Sequence, residues 1–223
     1  MKKFSIILLS LFLFSLQGAC KPSNESNKTA EEIAQKEQIP VQTKPVNGLK
    51  TAYFASGCFW CVEAVYESVA GVKEAISGYS GGKLQNPTYK NHGDHAEAVE
   101  VIYNPAVVSF SQLVDVYFGS QNITQVNGQG PDRGTPYRSI IFYQNEDEKR
   151  IIDEKVAELN KNLEGDKVAA QILPFQKFWD AEKYHQNYEK NNPDNPYIQN
   201  VSIPRLNRFK EKFPELLKKS ETH

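Results

Sequence analysis

The chain has 223 residues, 39% hydrophobic and 24% charged, with a formal net charge of −1. That length suffices for one domain with its own core, and the balanced charge excludes the strongly basic surface expected of a nucleic-acid-binding protein. Three cysteines and four histidines are too few for a disulfide framework, so each is weighed individually.

Residues 1–20, MKKFSIILLSLFLFSLQGAC, begin with a basic start, run apolar from Phe4 to Leu16 apart from three serines, and end in small residues before Cys20. The pattern is that of a secretory signal, the apolar run being shorter than the roughly 20 residues a spanning helix needs. Leu16 to Cys20 resemble a bacterial lipoprotein processing site, although Gln17 stands where an aliphatic residue is usual, so Cys20 is the expected lipid attachment point. Ordinary cleavage near Ala19 is the alternative. Either way the protein is expected outside the cytosol, where thiols meet an oxidising environment; with Cys20 lipidated it sits in the envelope of a bacterium, anchored to a membrane and facing the periplasm or the exterior. Residues 21–50 hold Ser, Asn, Lys, Glu, Gln and Pro with little to bury, which predicts a solvated tether.

Apolar patterning then begins. Thr51 to Ala55 reads as a strand, and Val62, Val65, Tyr66 and Val69 recur at helical spacing with Gly71 as a stop. Ala75 to Tyr79 and Glu97 to Tyr103 read as strands closed by Ser80-Gly81-Gly82 and Asn104-Pro105. Ser109 and Gln112 form a capping box for a helix to about Phe118, followed by a strand over Arg138 to Tyr143. Beyond Asn145 a helix carries Ile152, Val156, Leu159 and Leu163 on one stripe, and a fifth strand is expected near Lys167 to Ile172. The domain is placed at 51–200, with 201–223 as a basic C-terminal extension holding a short helix interrupted at Pro214. The order predicts an α+β fold, a mixed sheet built on a split βαβ, ferredoxin-like core.

Cys58 falls where a strand turns into a helix, and there the unpaired N–H groups and the macrodipole favour thiolate over thiol. Cys61 lies one turn on, at a spacing that permits a disulfide. His92 and His95 could complete a zinc site with the cysteines, but two residues separate them and thirty separate the pairs, unlike the Cys₂His₂ spacing. Alternation places Glu97 on one strand face with Val99, Val101 and Tyr103, and a carboxyl buried there would keep its proton near neutral pH. Pattern alone leaves open whether that face or the Glu100 face points inward.

Gly57-Cys58-Phe59-Trp60 resembles the signature of the A-type peptide methionine sulfoxide reductases. Similar blocks follow in order: Ser77 to Gly82, Asn86 to Tyr89, His95 to Val99, Gly130 to Ser139 and Ala181 to Gln186. The resemblance covers about residues 51 to 197 and implies a two-layer α/β sandwich that reduces the S epimer of methionine sulfoxide, free or in proteins. By motif position it implies Cys58 as nucleophile, Phe59 and Trp60 as an apolar wall around the substrate methyl, and Glu97 as proton donor to the sulfoxide oxygen. Tyr89 and Tyr137 would hydrogen-bond that oxygen, and Asp132 would support the site.

Three departures stand out. Cys61 replaces the Gly often found after the Trp, no cysteine follows Cys61, and Gln121 to Pro131 lacks the family's His-Asp-Pro and Gly-Asn-Asp elements. The first two predict that Cys61 resolves the Cys58 sulfenic acid, leaving a disulfide for a thioredoxin-like partner. A monomer with no bound cofactor is implied, repairing oxidised envelope proteins. Two other classes stay open: an exported thiol:disulfide oxidoreductase, which leaves Glu97, Tyr89 and Tyr137 without roles, and a non-catalytic zinc-binding lipoprotein.

Overall fold

A computed structural model describes residues 38–219. The signal sequence, Cys20 and residues 21–37 of the expected tether lie outside the described residues. Along the chain run β1 (Lys50–Ala55), α1 (Phe59–Glu67), β2 (Val72–Ser80), β3 (Ala96–Tyr103), α2 (Phe110–Gly119), β4 (Gly128–Gln129) and β5 (Asp132–Arg133). They are followed by β6 (Ile140–Tyr143), α3 (Glu146–Lys161), β7 (Gln171–Pro174), β8 (Phe178–Asp180), α4 (Tyr188–Asn191) and α5 (Ile203–Lys212). No helix among the described residues is long and apolar enough to cross a membrane.

Six strands form one sheet in the order β7-β6-β1-β3-β2-β8. Its centre, β6-β1-β3-β2, is the split βαβ core: α1 links β1 to β2, and β3 inserts antiparallel between them. Only β6 and β7 pair in parallel, which makes the sheet mixed. One face packs against α1, α2 and α3 through Phe54, Val99, Val101, Tyr66, Leu113 and Ile152. The other face carries a smaller cluster around Tyr53, Ile140, Phe142 and Phe175, where Tyr53 and Phe175 stack at 3.7 Å. The architecture is the α+β sandwich that the element order predicts.

Local signals explain the helix starts. The Ser109 hydroxyl accepts from the Gln112 N–H at 3.2 Å while the Gln112 side chain accepts from the Ser109 N–H, completing the capping box. Asn145 caps α3 by accepting from the Glu148 N–H at 2.9 Å.

Three boundaries differ from the sequence reading, each because a long-range partner captures the backbone. Residues 41–49, assigned to the tether, lie along the domain: the Val41 N–H donates to the Phe175 carbonyl at 2.8 Å and the Thr43 N–H to Gln144 Oε1 at 2.8 Å. The strand expected near Lys167 to Ile172 begins at Gln171, because the Ala169 N–H bonds the Ile123 carbonyl in a loop rather than the sheet. The domain does not close at residue 200. Phe209 of α5 is 1% exposed and packs in the main core, so the segment from 201, expected as a solvated basic extension, is part of the fold.

Candidate active site

Gly57 makes the turn from β1 into α1 with φ of +81°, a conformation that costs a side-chain-bearing residue energy. A Cβ at this position would also lie 2.5 Å from the Gln129 Cβ. Gly57→Ala is therefore expected to cost roughly 2–4 kcal/mol of stability in denaturant titrations, and to slow turnover by moving Cys58.

Cys58 is the N-cap residue of α1, without a side-chain capping bond, and Cys61 sits one turn on; both are buried free thiols. The first helical N–H, that of Phe59, does not reach the Cys58 sulfur. It donates at 3.0 Å to Glu97 Oε2. Glu97 on β3 is 3% exposed, so the inward face is the one shared with Val99, Val101 and Tyr103. Burial pushes its carboxyl up to about 8, against the Phe59 bond that pulls it down, with the nearby negative charges of Asp132 and Cys61 adding to the rise. This is a carboxylic acid that keeps its proton at neutral pH.

The electrostatics of the two thiols reverse the sequence expectation. Burial pushes the Cys58 thiol well up, with Cys61 and Glu97 adding to the rise. Cys61 is drawn down to about 6, first by the hydrogen bond from Cys58, then, against desolvation, by the Arg205 charge and by bonds from Ser202 and Tyr197. The helix N-terminus does not make Cys58 the resting thiolate, because Glu97 occupies the available N–H and because the buried positive charge stands beside Cys61. Arg205 is 8% exposed and donates to the Ser56 carbonyl at 2.9 Å, the Ser56 hydroxyl at 2.7 Å and the Ser120 carbonyl at 2.8 Å. No carboxylate pairs with it among the described residues.

Aromatic rings gather around Phe59 and Trp60. Phe59 lies 6.3 Å from the Tyr89 ring and 4.9 Å from His185, and Trp60 stacks on Tyr188 at 3.8 Å while donating from Nε1 to His185 Nδ1 at 3.1 Å. Beneath this wall the buried Glu63 carboxyl accepts from the Ser77 hydroxyl and the Asn187 N–H, tying α1 to the segment that carries His185 and Tyr188. Glu182 fixes the Tyr89 loop: its carboxylate accepts from the Tyr79 hydroxyl and from the Tyr89 N–H, both at 3.0 Å.

Tyr137 ends the short 3₁₀ turn Thr135–Tyr137. Burial raises its phenol, and the proximity of Glu97, Tyr89, Cys58 and Asp132 raises it further, so its hydroxyl stays a proton donor. Tyr89 behaves likewise, burial coming first and Glu97 and Cys58 next. Asp132, on the small β4–β5 hairpin, accepts from the Tyr197 hydroxyl at 2.6 Å, and that hydroxyl lies 3.7 Å from the Cys61 sulfur. The hairpin replaces what the departure at Gln121 to Pro131 had left open. Gln125 bonds both backbone groups of Gly130, at 3.0 and 3.2 Å, and Gln129 accepts from the Asn122 N–H at 2.8 Å.

The fold thus brings together Cys58, Cys61, Phe59, Trp60, Tyr89, Glu97, Asp132 and Tyr137, from positions up to 79 residues apart. Sequence reading missed Tyr197, His185, Glu182, Glu63 and Arg205. The Ala181 to Gln186 block pointed at two of them without a role, and nothing in periodicity marks Tyr197 or Arg205. The histidines of the zinc alternative are engaged elsewhere: His95 uses Nδ1 for the Gly82 N–H at 3.1 Å and Nε2 for the Leu84 carbonyl at 2.8 Å, and His92 stacks on Tyr79. No cluster of three or more potential metal ligands occurs among the described residues.

The family model for peptide methionine sulfoxide reductase matches residues 50–217. The peptide methionine sulfoxide reductase MsrA of Pasteurella multocida is 44% identical over 171 residues, 75% of this chain and 98% of that protein. MsrA of Saccharolobus solfataricus is 38% identical over 174 residues, 76% and 98% of the two chains. Among solved structures, reduced Mxr1 from Saccharomyces cerevisiae superposes with a TM-score of 0.62 at 32% identity, covering 68% of this chain and 90% of that one.

Proposed function

We infer that this chain, which belongs to the peptide methionine sulfoxide reductase family and reduces methionine sulfoxide, acts on the S epimer, free or in proteins, with Cys58 as its nucleophile. The observation that carries this reading is the buried Glu97 carboxyl, still protonated near neutral pH, on the strand that faces Cys58. A sulfoxide is a poor electrophile until its oxygen is protonated, and a water-excluded acid is suited to that task.

The substrate methyl rests against Phe59 and Trp60, and the Tyr89 and Tyr137 hydroxyls donate to the oxygen. Glu97 gives that oxygen its proton. Cys58 attacks the sulfur while passing its own proton to the Cys61 thiolate. The hydroxyl oxygen then passes from the substrate sulfur to Cys58 as the substrate S–O bond and the bond between the two sulfurs break, so methionine leaves and Cys58 becomes a sulfenic acid: the substrate sulfur has gained two electrons and Cys58 has lost two. Cys61 then attacks the Cys58 sulfur, and its proton leaves with the hydroxyl as water, closing a Cys58–Cys61 disulfide. A thioredoxin-like protein reduces that disulfide. The signal-like start supports an envelope location with Cys20 as lipid anchor, which would require reducing equivalents from across the membrane.

Incubated with dithiothreitol and each epimer separately, the protein is expected to consume the S epimer and leave the R epimer untouched. Consumption of both at similar rates, or of neither, would sink the assignment. Cys61→Ser is expected to release one equivalent of methionine per chain, in a burst slowed by loss of the thiolate that takes the Cys58 proton, and then stall with a thioredoxin system. Full steady-state turnover in that variant would show that the sulfenic acid is reduced directly.

A further inference from the structure

Tyr197 and Asp132, joined by their hydrogen bond, help line a cavity of about 740 Å³. Cys61, Asp132 and Tyr197 line it, with Arg205, Arg208 and Lys212 of α5, whereas Cys58, Glu97, Phe59 and Trp60 do not. Arg208 and Lys212 are exposed, and neither is paired with a carboxylate among the described residues. Lys212 only caps the Phe213 ring at 5.2 Å. Three cations against the single carboxylate of Asp132 give the cavity a positive field that ends at one thiol.

We propose that this cavity is the port through which the recycling reductant reaches the oxidised enzyme: a protein dithiol with acidic residues beside its exchange cysteine, attacking Cys61 rather than Cys58. The proposal rests on Cys61 being the resolving thiol. The Arg205 charge that acts on Cys61 attracts an incoming thiolate toward that sulfur, which lines the cavity together with Arg205. The reductant's thiolate forms a bond to the Cys61 sulfur as the Cys58–Cys61 bond breaks, and Cys58 leaves with the electron pair and takes a proton. The reductant's second thiol then displaces Cys61, so that the reductant ends as a disulfide and the enzyme as a dithiol.

The full chain, oxidised by methionine sulfoxide and then mixed with a thioredoxin whose second cysteine is replaced by serine, is expected to trap a mixed disulfide at Cys61. Alkylation and peptide mapping would find Cys58 modified by the alkylating agent. With an intact thioredoxin, the double variant Arg208→Glu, Lys212→Glu is expected to lower the ratio of thioredoxin-supported to dithiothreitol-supported turnover about tenfold at low salt. A mixed disulfide at Cys58, or an unchanged ratio, overturns the port while leaving the reductase reading intact. Absence of any Cys58–Cys61 disulfide after oxidation overturns the port together with the resolving role of Cys61.

Discussion

Cys58→Ser is expected to reduce sulfoxide consumption to background with either dithiothreitol or thioredoxin, because it removes the proposed nucleophile next to Phe59 and Glu97. A hydroxyl cannot accept the oxygen and pass it on as a sulfenic acid does. The fold should survive the change. Cys58 is an N-cap residue that makes no side-chain capping bond, and serine is among the best residues at that position. A thermal midpoint equal to or above that of the parent, combined with absent activity, would separate chemistry from folding. Protein-dependent turnover persisting in the serine variant would move the nucleophile to Cys61, the other thiol of the pair.

Glu97→Gln is expected to lower turnover by about 10²- to 10⁴-fold, the usual contribution of a positioned general acid, with little change in substrate affinity. Its amide oxygen can still accept the Phe59 N–H, so the loss reports the missing proton rather than a collapsed site. The parent enzyme adds a pH signature. Turnover requires the protonated carboxyl and should fall as pH rises through about 8, a limb that the glutamine variant lacks. Stability should move in the same direction. The folded-state pKa lies above the unfolded one, so Glu97 favours folding fully below the unfolded value, near 4.5, and loses that contribution as pH rises through about 8. Glu63, raised by burial to about 7, contributes with the same sign at lower pH. A parent whose rate is flat from pH 7 to 9 would remove Glu97 from the role of acid.

The amino-acid sequence by itself determined the elements that depend on neighbours along the chain. The stripe Val62, Val65, Tyr66 makes a helix wherever an apolar surface is available, and the Ser109 and Asn145 caps need only the next three residues. The alternation around Glu97 placed a carboxyl with three apolar side chains, and the strand and helix order implied the split βαβ core. The signature around Cys58 likewise pointed to the site, because its residues are contiguous.

Tertiary structure alone decided what depends on partners far apart in sequence. Strands β7 and β8 have little pattern of their own at four and three residues, and they exist because β6 and β2 offer edges to pair with. Tyr197 joins Asp132 across 65 residues, and Arg205 joins Ser56 across 149. Local spacing carries no trace of either contact. The reversal of thiol character in Cys58-Phe59-Trp60-Cys61 has the same origin. A helix N-terminus favours the first cysteine on local grounds, but Glu97 takes the Phe59 N–H and the distant Arg205 lends its charge to Cys61. Proton affinity is set by the field at the sulfur, and that field is assembled only when the chain has folded.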